Sequence, residues 1–181
     1  MNMLAELPCT GKSASWSMQD GIINMEITTQ ALDPESYMKQ HGNKNVRFLK
    51  KAEEILVSPA YRPISETCRL KIINVSQSIV RDRERRQDLF YDQMETRGYK
   101  KPSPCIALEL FGQLKPQDIF DMGLWWIIVM HEPINGWLLD ALYHPDISYF
   151  GACQFTSGPT SFLPSLRRIE KGVGLVVCDE S

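Results

Sequence analysis

Paired cysteines are missing from this sequence. Five stand in 181 residues (Cys9, Cys68, Cys105, Cys153 and Cys178), an odd number so widely spread that no two approach CxxC spacing. The pattern argues against a disulfide framework and against a cysteine-based zinc site. It reads instead as reduced, mostly buried thiols in a cytoplasmic protein. Long apolar runs are missing too. The longest, Met122–Met130, has nine residues, whereas a bilayer span needs about 20, so no membrane partner is expected. Residues 1–17 hold no basic segment followed by an apolar run, which argues against a secretory signal. Strong net charge is also absent: it is −2, with a pI near 5.9. Affinity for nucleic acid rests largely on neutralised phosphates, so a globally basic binder is excluded. A local basic patch is not, because residues 1–102 carry 16 basic against 13 acidic residues while residues 103–181 carry 4 against 9.

Complete catalytic signatures are equally scarce. Gly11-Lys12-Ser13 looks like the end of a phosphate-binding loop, but the glycine required upstream is Glu6 and no apolar strand feeds the segment. Gly172-Val173-Gly174 lacks the third glycine and the helix of a dinucleotide fingerprint, and reads as a bulge or close approach in a strand. His131-Glu132-Pro133-Ile134-Asn135 opens like the zinc-protease helix motif, yet Asn135 replaces the second histidine and Pro133 forbids the helix. Cys153 with His144 upstream has no local pattern that would bring thiol and base together. Asn74-Val75-Ser76 is a glycosylation sequon by pattern alone. No cofactor and no metal is therefore expected.

What is present is the composition of a folded globular protein, 43% hydrophobic and 23% charged. Its length fits one domain with a self-sufficient core. Residues 1–18 read as a flexible N-terminal arm and residues 19–181 as a single α+β domain. Gly21–Thr29 alternates, with Ile23, Met25 and Ile27 on one side, as in a strand with one wet face. A helix is expected over Asn45–Leu56 and a short strand over Cys105–Phe111. Cys68–Val75 fits either period. Ser76–Arg97 has helical spacing and is expected to end at Gly98. Pro116 at a first helical position starts a second helix expected to run through Trp125 and Trp126 to His131. Gly136–Leu142 reads as an amphipathic turn or short helix, and Ser148–Thr156 and Gly172–Cys178 as strands. The expected fold class is α+β: one compact domain with one long charged helix, a second buried Trp-rich helix and a small, mainly antiparallel sheet.

Two constellations stand out. Arg81, Arg83, Arg85 and Arg86, continued by Tyr91, Arg97, Lys100 and Lys101, form a charged helical stretch that reads as a solvated face or a binding surface. Arginines beside tyrosines suit phosphates or bases, a reading that five interspersed acids (Asp82, Glu84, Asp88, Asp92, Glu95) weaken, and an acidic protein partner would satisfy the same patch. His131, Glu132, His144 and Asp146 fall close together around turns, the pattern a metal or acid/base site would need. The leading expectation is a non-catalytic binding or assembly protein, an accessory subunit of a bacterial, phage or mobile-element complex that works through the Arg81–Lys101 surface and self-associates. The alternatives are a small metal-dependent hydrolase or nuclease using His131, Glu132, His144 and Asp146, and a nucleic-acid-binding subunit using the arginine stretch.

Overall fold

The computed structural model of the chain describes residues 15–41, 46–74, 92, 94–144, 146–154 and 172–179. Within them lie nine strands: β1 (Trp16–Gln19), β2 (Ile22–Thr28), β3 (Val46–Phe48), β4 (Thr67–Asn74), β5 (Tyr99–Lys100), β6 (Trp126–Val129), β7 (Trp137–Leu142), β8 (Ser148–Gln154) and β9 (Val173–Asp179). Four described helices are short: α1 (Pro34–His41), α2 (Lys50–Leu56), α3 (Cys105–Gln113) and α4 (Pro116–Asp121). All nine strands join one mixed sheet in the order β1-β2-β4-β9-β6-β7-β8-β3, with β5 pairing the end of β9. The β6–β9 and β3–β8 pairs are parallel and the others antiparallel.

This overturns the expected small sheet with one long charged helix. Nine strands make one large sheet, and the four described helices run only six to nine residues. The expected charged helix lies mainly outside the described residues. Where the chain is described again it turns at Gly98 (φ 78°), whose N–H bonds Glu95 O at 2.9 Å, and enters β5. Lys100 is thus a strand residue, not a helical one.

The expected Trp-rich helix is a strand. α4 stops at Asp121 and Gly123 (φ 72°) turns the chain, after which Trp126–Val129 becomes β6. A segment apolar on every side suits a central strand as well as a buried helix. Here β6 lies between β9 and β7, and its β-branched residues favour the pleat. The opposite misassignment occurs at Cys105–Phe111, a helix whose residues are all buried. Its buried acid, Glu109, is held by the Gln30 N–H (2.8 Å) and the Gln113 amide (3.0 Å). Residues 46–48 of the expected first helix form β3, and the expected turn or helix at 136–142 is β7.

Two glycine turns set the hairpins. Asp20 and Gly21 (φ 52° and 74°) join β1 to β2, and Asn135 and Gly136 (φ 53° and 81°) close the hairpin between Ile134 and Trp137. Both are two-residue turns with positive φ at both positions, the twist that suits antiparallel strands. β1 begins at Trp16, inside the stretch read as an arm.

One face of the sheet carries the helices. Ile23, Ile27, Leu70, Ile72, Ile127, Leu139 and Phe150 pack there against Tyr37 of α1, Ile55 of α2, Ile106 of α3 and Ile119 of α4. The second face divides across its width. Under β6, β7, β9 and the end of β4 it is dry, with Ile73, Ile128, Met130, Leu138, Leu175 and Val177 packed with Met94. Across β1, β2 and β4 it is wet, because alternation sends Ser17, Asn24, Glu26, Arg69 and Lys71 to that side.

Candidate functional site

The wet half of the second face forms a shallow depression of about 350 Å³ lined by Ser15, Trp16, Ser17, Asn24, Met25, Glu26, Arg69, Leu70, Lys71 and Asp179. Register explains the assembly. Asn24 stands opposite Lys71 and Glu26 opposite Arg69 in the β2–β4 ladder, so oppositely charged or polar side chains meet directly across strands. Lys71 Nζ donates to Asn24 Oδ1 at 2.6 Å and lies 3.3 Å from Asp179 Oδ2. Arg69 and Glu26 are 3.9 Å apart and well exposed, so their attraction is weak and either can be re-paired with a ligand. At the far side Tyr99 of β5 stands opposite Asp179. Through that pair the described end of the basic stretch, Arg97–Lys101, adjoins the depression without lining it.

The structure distributes the predicted residues as follows. Arg81, Arg83, Arg85, Arg86 and Tyr91 lie outside the described residues, as do Gly11-Lys12-Ser13 and most of the sequon. Lys101 is paired with Glu132 at 2.7 Å. His131 is fully buried. Its Nε2 accepts the Leu139 N–H at 2.9 Å, which leaves Nδ1 to donate to Glu132 O at 2.6 Å. Both ring nitrogens are thus engaged in bridging the β6–β7 connection, and burial lowers its pKa to about 4. His144 and Asp146 form an exposed local turn with 3.7 Å between ring and carboxylate. Glu132 faces Lys101 while its neighbour His131 is sealed inside, so the four residues are not brought to one centre. Among the described residues no three His, Cys, Asp or Glu side chains are placed to hold a metal ion.

Two groupings were invisible in the sequence. On the dry half, Asp140 of β7 is buried and accepts the indole N–H of Trp126 at 3.1 Å. Burial raises its pKa to about 6, against the hydrogen bonds of Trp126 and Cys153. Gly151, opposite Asp140 in β8, leaves room for the carboxylate: a Cβ there would stand 2.6 Å from Oδ1. On the helical face, Cys68 of β4 and Cys178 of β9 interact, with Glu66 and Cys105 nearby. Burial, then the Cys68 thiol, pushes Cys178 up to about 12, and burial followed by Glu66 raises Cys68. The four described cysteines are free, and thiols held protonated in this way are poor nucleophiles. Asp140 required knowledge of the β7–β8 register and the thiols that of β4–β9; neither leaves a local motif.

No described helix is long and apolar enough to cross a membrane. Compared with protein-family models, with curated proteins and with solved structures, the chain matches none.

Proposed function

We propose that this chain is a non-catalytic binding or assembly protein that holds a partner protein on the wet half of its sheet. The observation that carries the reading is the depression itself: four strands present polar and charged side chains beside a sheet edge that is unpaired among the described residues, with Glu26 and Arg69 exposed and only loosely paired. Such a surface suits a partner with both signs of charge, and complementary charges favour specificity and association rate more than raw affinity. The basic stretch expected to carry binding adjoins the same surface through Tyr99 and Asp179. The hydrolase alternative is disfavoured by His131, whose two nitrogens are both committed to backbone groups.

The test is charge reversal, Glu26→Lys with Arg69→Glu, in one variant. Both residues are exposed, so thermal stability and circular dichroism should hold. Partners retained by the wild type from its native cell should be lost, and more so at low salt. An unchanged set of partners removes this surface. A second variant, Arg83→Glu with Arg85→Glu and Arg86→Glu, assigns the binding to the arginine stretch if it alone abolishes capture.

A further inference from the structure

We propose that β1 is a self-association edge, pairing antiparallel with β1 of a second copy in a two-fold register centred on Ser17. Among the described residues nothing pairs with the outer side of β1. The tight Asp20-Gly21 turn makes Gln19 and Ile22 a hydrogen-bonded pair, and alternation makes Ser17 and Asn24 the next one. Trp16 and Met18 therefore turn their N–H and C=O groups outward. Sheet edges are ordinarily guarded by lysine, proline, a bulge or an inward charge. Trp16-Ser17-Met18-Gln19 has none of these, whereas the opposite edge, β3, is three residues long and carries an arginine.

The choice of a second copy as occupant follows from what this register brings together. With Ser17 opposite its own equivalent, Trp16 of each copy pairs with Met18 of the other through two hydrogen bonds, four in all. Their side chains meet on the helical face, where Met18 is 44% exposed and Trp16 packs against the core. Methionine sulfur against an aromatic ring is a favourable contact. The two serines meet on the opposite face as a non-hydrogen-bonded pair, and no like charges oppose each other anywhere along the ladder. A four-residue ladder is smaller than the roughly 1,200 Å² of a stable specific interface, so the dimer is reversible and concentration-dependent. Because the two-fold axis runs perpendicular to the sheet, both wet depressions lie on the same side. That makes a bivalent platform, in which linked sites gain avidity without new contacts. The pairing does not depend on what the depression binds.

Ser17→Cys tests the register directly. Non-hydrogen-bonded partners have Cα atoms about 4.5 Å apart, within disulfide reach, so incubation with oxidised glutathione should yield a covalent dimer as the main product. Gln19→Cys is exposed on the same face, but its two copies would stand about 14 Å apart along the strands and should stay monomeric. Sedimentation of the wild type should show the mass rising above 20.7 kDa towards twice that value with concentration. Met18→Pro removes one outward N–H without touching the β1–β2 ladder, and should abolish the rise with the fold intact by circular dichroism. A wild type that stays monomeric at millimolar concentration, or equal crosslinking of the two cysteine variants, overturns the proposal. If Met18→Pro instead abolishes capture of a partner by a monomeric wild type, the edge accepts a foreign strand and self-pairing is wrong.

Discussion

Two buried groups, one in the β6–β7 connection and one in β7, should give this protein opposing responses to acid that nearly cancel, and removing either should expose the other. His131 is fully buried and neutral, with Nε2 accepting from the Leu139 N–H. Protonating Nε2 would set two N–H groups against each other in a dry site. Its pKa falls from 6.5 to about 4, chiefly through burial. The unfolded chain therefore binds more protons than the folded one between those values. The stabilisation that His131 gives when neutral is complete above pH 6.5 and is lost as pH falls through 4. Asp140 behaves oppositely. Burial lifts its pKa from 3.8 to about 6, so the folded state binds the extra proton. Its contribution is complete below pH 3.8 and is lost as pH rises through 6.

Each gap corresponds to about 3 kcal/mol, taking 1.36 kcal/mol per pH unit of displacement. In the wild type the two contributions offset each other across pH 4 to 6. Asp140→Asn keeps an acceptor for Trp126 and fills the same space, but cannot gain a proton. Relative to wild type it should lose about 3 kcal/mol between pH 6.5 and 4. His131→Gln should gain by a similar amount over the same interval, from a lower starting stability because the Leu139 N–H needs a new acceptor. Urea unfolding followed by tryptophan fluorescence at half-unit pH steps measures both. Subtracting the wild-type profile cancels the exposed carboxylates common to all three proteins. Variant profiles parallel to wild type across pH 4 to 6 would refute the opposing-charge argument.

Two further outcomes follow from single side chains. Tyr143 is 4% exposed and its hydroxyl has no hydrogen-bond partner among the described residues, so Tyr143→Phe should leave stability unchanged or raise it by up to about 1 kcal/mol, since the buried hydroxyl is dehydrated without compensation; a clear loss in chemical denaturation would show that a partner exists. Gly136 holds φ 81° in the β7 hairpin turn, so Gly136→Val should cost roughly 1–2 kcal/mol through left-handed strain, and a thermal midpoint equal to wild type would contradict that turn geometry.

The parts of this fold that the sequence made legible are those in which one residue's neighbours in the chain decide its environment. β2 was readable because Ile23, Met25 and Ile27 alternate with wetter residues, and they are indeed the buried set. The end of the charged stretch at Gly98 was readable because a positive φ favours glycine. The same reasoning should have caught both hairpins, since Asp20-Gly21 and Asn135-Gly136 are strong short-range turn signals. Reading Pro133 as a helix stop hid the second of them, and the first was missed because most of β1, the strand that leads into it, was read as part of an arm. β6 and α3 could not be separated by pattern, because both are buried on nearly every side and period vanishes when no face is wet. Their lengths mislead too: the apolar run of Met122–Met130 contains the residue that caps α4, a glycine turn and a strand.

Asp140 and Lys71 show why the candidate site was harder still. Both stand on the second face of the same sheet and both bond a neighbouring strand's polar side chain, Trp126 for one and Asn24 for the other. Their chemistry diverges because the face changes from dry to wet along β4 and β9, between Ile73 and Lys71 on one and between Val177 and Asp179 on the other. Beneath the dry half a carboxylate sits among Leu138, Cys153 and Trp126, its charge costly and its role confined to the interior. On the wet half the ammonium of Lys71 pairs with Asn24 and Asp179 in a partly exposed setting, where such contacts are weak and exchangeable. No composition or spacing records where that boundary falls. It is set by strand order, which places β9, with Leu175 and Val177 facing Met94, beside β4, whose Arg69 and Lys71 share that face without a cover among the described residues. If the wet half binds a partner as proposed, covering Arg69 and Lys71, which lie uncovered among the described residues, would change what binds there without altering a single charged residue.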